Sequence, residues 1–295
     1  MLKPCGIALC KIGCASEVWA GPGNECPNLS LMAIPTPRMG GFPIEQGAAA
    51  PASAPACVAP RMSGAAPIAL TIMAKRPLAG EVKTRLCPPL TPEEAAQVAH
   101  AFLLDKLEQV RRIPGVARFV AFFPSEAEAF FRTQAGKAFS LLPQRGADLG
   151  ERLADVSDRL LGAGFNAVMI IGTDSPTLPD AALQEAQEAL TRDRADVVLG
   201  PVDDGGYYLI GLRRPSRSLF HGIAWSTDTV LLQTVARAKA AGLRTHLLPR
   251  WFDVDAEPAL RRLGRDLADG RIPASRTRAC LLGLASSTGR DGIPG

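Results

Sequence analysis

From Pro67 to Leu267 the chain alternates short runs of apolar, often β-branched residues with longer stretches whose apolar positions recur every three or four residues. The short runs read as buried strands and the long stretches as helices that cover them. Strands are expected at Ile68–Ala74, Val116–Phe123, Ala138–Leu142, Ala167–Ile171 and Val197–Gly200, with a short one ending at Leu247-Leu248. The first helix has a clear start. Thr91-Pro92-Glu93-Glu94 supplies an N-cap, a proline at the first helical position and a glutamate three residues on. Val98, Phe102, Leu103, Leu107 and Val110 follow on one face. Further helices are expected from a Ser125 cap, over a stripe from Leu149 to Leu161, and around 180–191, 228–241 and 257–267. Strand and helix in alternation predict an α/β sandwich of three layers around a mostly parallel sheet.

The pattern fails at both ends. Residues 1–64 are crowded with Gly, Pro, Ala and Cys, and no periodicity persists there. They are read as a disordered extension, or as sequence ahead of a true translation start at Met62. The folded domain is expected over 65–270, followed by a flexible C-terminal tail over 271–295.

Composition narrows the class. The 47% apolar and 21% charged content is that of a globular chain, and a net charge of +4 is too mild for a nucleic-acid binder. No apolar run approaches the roughly eighteen residues that span a bilayer. Cys5, Cys10, Cys14, Cys26 and Cys57 lie in the extension without a paired C-x-x-C. Cys87 and Cys280 alone remain in the body, so a disulfide framework is excluded and a reducing cytoplasm is the expected setting.

Candidate chemistry gathers where strands end, because helix-covered parallel sheets bind ligands beyond the carboxyl ends of their strands. The run Ala167–Ile171 stops on Gly172-Thr173-Asp174-Ser175-Pro176, which places a carboxylate at such an end. Asp174 also suits a plain turn or cap. After the first strand, Lys75, Arg76, Lys83 and Arg85 surround Pro77 and Gly80, a cationic loop placed as a phosphate loop would be, although no Walker A spacing is present. Gly146 and Gly150 permit close approach at a strand-to-helix junction. Gly200-Pro201-Val202-Asp203-Asp204-Gly205-Gly206-Tyr207 reads either as a ligand-lining turn or as an Asp-Gly hairpin. Asp253 and Asp255 are helix-start carboxylates that could equally hold a metal. Were that segment extended, alternation would let only one of them face the site.

Taken in order, Lys75-x-Pro77-x-x-Gly80-x-Val82-Lys83-Thr84-Arg85-Leu86, Asp148-Leu149-Gly150-x-Arg152, Gly172-Thr173-Asp174-Ser175-Pro176, Gly200-Pro201-x-x-Asp204-Gly205-Gly206-Tyr207, Trp225-Ser226-Thr227 and Asp253-Val254-Asp255 resemble a bacterial glycosyltransferase-A-like (GT-A-like) family. That family carries the label glycosyltransferase and is related in fold to molybdopterin and phospholactate guanylyltransferases. The resemblance implies a nucleotide-diphospho-sugar transferase fold that takes a nucleotide or nucleotide-sugar, a small-molecule acceptor, and Mg²⁺ or Mn²⁺. It implies metal ligation by Asp174 with Asp253 or Asp255, and catalytic roles for Lys83, Arg85 and Asp174. Lys75, Gly80, Lys83, Arg85, Gly150 and Thr173 would contact the nucleotide. Asp204, Gly205, Gly206, Tyr207 and Trp225 would line the acceptor side. The first loop lacks the Gly-Gly-x-Ser/Thr-x-Arg-Met-Gly pattern of the nucleotidyltransferases, so glycosyl and nucleotidyl transfer both stay open.

Other classes fit less of the pattern. A non-catalytic nucleotide-binding module that regulates a partner would bind without turnover. Nucleic-acid recognition is disfavoured by the 5% aromatic content and the absence of a reader motif. His221 and His246 have no nucleophile elbow nearby, which argues against a serine hydrolase.

Overall fold

The computed structural model describes residues 68–268, 270 and 272–288. The expectations for 1–64, including the Met62 start and the five early cysteines, lie outside these residues. Among the described residues no helix is long and apolar enough to cross a membrane.

Seven strands form one sheet: β1 (Ile68–Lys75), β2 (Val116–Phe123), β3 (Ser140–Pro143), β4 (Ala167–Ile171), β5 (Val197–Pro201), β6 (Tyr207–Leu212) and β7 (Thr245–Leu247), in the order β3-β2-β1-β4-β6-β5-β7. All pairings are parallel except those of β6, which runs antiparallel to both β4 and β5. The Asp-Gly hairpin reading of the 201–206 turn therefore holds, since β5 and β6 are antiparallel neighbours joined by it.

Alternation along each strand builds the layers. Ala167, Met169 and Ile171 of β4 join one apolar cluster with Leu103 and Leu107 of α1 (Pro92–Arg112), Phe131 of α2 (Glu128–Ala135) and Leu183 of α4 (Asp180–Thr191). Val168 and Ile170 join the opposite cluster with Leu153 and Val156 of α3 (Leu149–Gly162) and Val230 of α5 (Val230–Ala240). Helices thus cover both faces of the sheet. A third cluster lies on the outer side of α1, where Val98 and Phe102 meet Leu260 and Leu263 of α6 (Glu257–Leu267) and Phe252 and Val254.

Two local expectations are corrected. Ser125 does not cap a helix: its hydroxyl turns to Glu126, a single 3₁₀ turn intervenes, and α2 begins at Glu128. The stretch read as a loose tail carries α7 (Ser275–Thr288), with Leu281 and Leu284 buried in the third cluster. Its N-terminus is satisfied from a distance. The Asp105 carboxylate accepts the backbone N–H groups of Arg276 (3.0 Å) and Thr277 (2.7 Å).

Candidate functional site

The carboxyl ends of β1, β4, β5 and β7 lie on one edge of the sheet, and the loops that leave them carry the acidic and cationic residues. β6 enters from the same edge, so its turn from β5 joins them. Backbone bonds stitch the loops together. Val254 N–H donates to the Asp174 carbonyl (2.9 Å), Asp203 N–H to Trp251 (3.2 Å), and Trp251 N–H to Pro201 (3.0 Å).

Lys83 is the cation at the centre. Its Nζ lies 2.5 Å from Asp174 Oδ1 and 3.0 Å from Asp255 Oδ1, and donates to the Val254 carbonyl at 2.8 Å. The backbone that aims it is left-handed (φ 50°), a conformation costing a non-glycine residue about 1–2 kcal/mol and sustained by the surrounding contacts. Burial opposes the ammonium charge, but Asp174 and Asp255 outweigh burial and hold the Lys83 pKa above its ordinary value.

Beside this pair is an acidic cluster. One carboxylate oxygen from each of Asp204, Asp253 and Asp255 lies within 4.8 Å of the others. Asp255 belongs to both groups, to Lys83 on one side and to the cluster on the other. Asp253 Oδ1 accepts the Ser175 hydroxyl at 2.6 Å, while its buried Oδ2 has no hydrogen-bond partner among the described residues. Burial first, and then the charges of Asp255 and Asp174, push the Asp253 carboxyl well above the usual carboxylate range against the pull of Ser175.

The restriction to one of Asp253 and Asp255 held only for an extended strand, and that condition is not met. Residues 252–255 belong to no strand, so the two-residue alternation of a ladder does not apply and both carboxylates converge. Asp204, expected on the acceptor side, contributes one of the three oxygens of the acidic cluster. Asp174 is buried and ion-paired to Lys83. Thr173 is half-buried with its hydroxyl toward Asp174.

The remaining candidates divide. Lys75 braces its own loop, with Nζ 3.0 Å from the Glu81 carbonyl and 3.3 Å from its carboxylate. Arg85 and Gly80 are exposed on that loop. Three of the others are packed closely against the protein's own atoms. A Cβ at Gly150 would stand 2.7 Å from Trp225 Nε1, so the close approach that this glycine allows is made by Trp225 rather than left to a base or ribose. At Gly205 (φ +89°) a Cβ would stand 2.0 Å from the Asp228 carbonyl oxygen. Tyr207 is fully buried in the core, because β6 is a central strand covered on both faces, and offers no surface to an acceptor. Gly206 N–H donates to Asp204 Oδ1 (3.3 Å), which shapes the turn.

One group escaped the sequence reading. Lys106 of α1 is 1% exposed, and its Nζ donates to the Ser175 carbonyl (2.9 Å) and to Gln109 Oε1 (2.7 Å). Burial pushes its pKa down to about 8, against the opposing pull of Asp253, Asp180, Asp105 and Asp174. The available signal was a cation at helical spacing from Phe102 and Leu103, on the stripe where an apolar residue was expected. Arg262 also lies beside the cluster: its guanidinium stacks on Phe252 (3.7 Å) and pairs with Asp203 (3.3 Å), the residues preceding Asp253 and Asp204.

Residues 106–227 match the family described as uncharacterized protein conserved in bacteria (DUF2064). A crystal structure from Desulfovibrio desulfuricans G20, provisionally named a nucleotide-diphospho-sugar transferase, is 30% identical over 75% of this chain and 95% of its own, with a TM-score of 0.66. The fold described above is that of these transferases. A CMP:2-keto-3-deoxy-manno-octonic acid synthetase complexed with CTP matches at 12% identity over 69% of this chain and 99% of its own, with a TM-score of 0.46. A cytidylyltransferase from Leptospira borgpetersenii serovar Hardjo-bovis matches at 11% identity over 78% and 98%, with a TM-score of 0.45. No curated protein sequence matches.

Proposed function

The chain belongs to this bacterial family, DUF2064, and from that membership and the geometry of the strand ends we propose that it is a metal-dependent transferase of GT-A type using a nucleotide or nucleotide-sugar donor. The observation that carries the reading is the convergence of Asp204, Asp253 and Asp255 within 4.8 Å, beside the buried Lys83–Asp174 pair. Three carboxylates forced together repel one another, and the arrangement is relieved by a cation.

The donor set fits a hard divalent ion. Its ligands are all oxygen, as Mg²⁺ and Mn²⁺ prefer, and the buried Oδ2 of Asp253 is a lone-pair site that none of the described residues satisfies. Asp204, Asp253 and Asp255 would hold the ion, with Asp174 close by through its shared partner Lys83. Bound there, the ion would neutralise donor phosphate charge. Asp174 and Asp255 keep Lys83 protonated and aimed at the same edge, where an ammonium stabilises charge on a departing phosphate. Arg85, exposed on the first loop, would meet phosphate arriving from solvent. The acceptor would meet the Val202–Gly206 turn, to which Arg262 is tied through Asp203.

Incubation with a panel of nucleoside triphosphates and nucleotide-sugars in Mn²⁺, followed by phosphorus NMR, tests the proposal and separates its two forms. Pyrophosphate release marks nucleotidyl transfer, and nucleoside diphosphate release marks glycosyl transfer. Metal-dependent nucleotide binding with no turnover across donors and acceptors would point instead to a regulatory nucleotide-binding module.

A further inference from the structure

The acidic cluster depends on a loop that α1 holds from behind. Lys106, Gln109 and Arg112, three residues apart on α1, follow the chain from Ser175 to Asp180. Lys106 Nζ takes the Ser175 carbonyl at 2.9 Å, Gln109 Nε2 takes the Leu178 carbonyl at 2.5 Å and Asp180 Oδ1 at 3.0 Å, and Arg112 pairs with Asp180 at 3.0 Å. On the far side of the loop, the Ser175 hydroxyl donates to Asp253 Oδ1 at 2.6 Å. That bond occupies one oxygen of Asp253 and leaves the buried Oδ2 as the oxygen without a partner among the described residues.

We propose that Lys106 is a positioning residue for the acidic cluster, acting through Ser175 to fix the Asp253 carboxylate in the orientation that accepts a divalent cation. The inference rests on the metal-site reading given above. Lys106 grips the backbone of Ser175 and so sets where its hydroxyl points, and the hydroxyl sets the rotation of the carboxylate. A residue serving only to fill the interior would be apolar, since a buried charge costs more than a methylene chain of the same volume. A polar group retained at this spot supplies the directed bond that an apolar side chain cannot make.

Sign separates positioning from plain electrostatics. Lys106 is a cation near Asp253, so if it acted through its field alone, removing it would tighten binding of a divalent cation. Positioning requires the opposite. The test is a Mn²⁺ titration of the full chain by electron paramagnetic resonance, comparing wild type, Lys106→Met, Ser175→Ala and the double variant, with melting temperatures recorded in parallel. Ser175→Ala keeps the carbonyl that Lys106 holds and removes only the hydroxyl. Each single variant is expected to weaken Mn²⁺ binding about tenfold, and the double variant no further, because both break the same relay. Unchanged or tighter binding in Lys106→Met, or losses that multiply to about a hundredfold in the double variant, would overturn the proposal. Should Lys106→Met fail to fold, Ser175→Ala decides: tenfold weaker binding sustains the relay, and wild-type affinity refutes it. Absence of any Mn²⁺ site in the wild type refutes the metal reading itself, and this inference with it.

Discussion

Replacing Asp253 by Asn should make the metal-free protein more stable while abolishing its response to metal. Oxygens of Asp253 and its acidic neighbours lie within 4.8 Å, a separation at which two full charges repel by about 3.5 kcal/mol at an effective dielectric of 20. Lys83 bonds Asp255 and offsets part of this, so a net relief of about 1–3 kcal/mol is expected in EDTA at a pH above the folded Asp253 pKa. In a domain of this size each kcal/mol moves Tm by about 2–4 °C. The pH dependence follows from the raised Asp253 pKa. The unfolded chain loses this proton near pH 3.9 whereas the folded protein keeps it to higher pH. In that window the native state binds more protons, so the stability contributed by the protonated group is present at low pH and lost as pH rises through the folded pKa. Metal reverses the trend, because its ligands must be ionised, and at a hundred times its Kd a bound ion adds about 2.7 kcal/mol. Differential scanning fluorimetry from pH 4 to 9, in EDTA and in Mn²⁺, reads both curves. A D253N protein that melts lower than wild type in EDTA throughout this range and still responds to Mn²⁺ would refute the reasoning.

Other outcomes are equally specific. Lys83→Met should tighten Mn²⁺ binding by calorimetry, because the ammonium that shares Asp255 is gone, and should lower donor turnover at least tenfold. Gly205→Ala combines a left-handed backbone with a Cβ 2.0 Å from Asp228 O, and urea unfolding should register a loss of about 2–4 kcal/mol. Lys106 carries a pKa lowered to about 8 from 10.5, so the unfolded state holds its proton longer between these values. Wild-type stability should therefore rise by about 3 kcal/mol relative to Lys106→Met from pH 8 to 10.5, as judged by parallel urea titrations. Asp105→Ala removes the acceptor at the start of α7, and amide hydrogen exchange over Arg276–Leu284 should accelerate while β4 stays protected.

The parts of this molecule that were legible in sequence are those whose cause is local. β2 and α4 have the bounds that their own periodicity implies, and the Thr91–Glu94 box caps α1 through bonds between residues three apart. The acidic residues were visible as candidates because strand ends in such sheets face ligands. Their grouping was not visible. Asp204 meets Asp253 across some fifty positions of chain, and no pattern within either loop announces the meeting. Gly150 looked like room for a ligand because a sequence does not reveal that Trp225 fills the space. α7 resembles a tail in composition and is secured by Asp105, 171 and 172 positions away. Lys106 broke the apolar stripe of α1, and its partner Ser175 lies 69 residues downstream.

The most direct test is a crystal structure with Mn²⁺ and a nucleotide, with diffraction recorded at the manganese absorption edge. The account expects one anomalous peak among Asp204, Asp253 and Asp255, with donor phosphates beside it and Arg85 turned toward them. A nucleotide bound away from the strand ends, or a peak that none of these carboxylates touches, would contradict it.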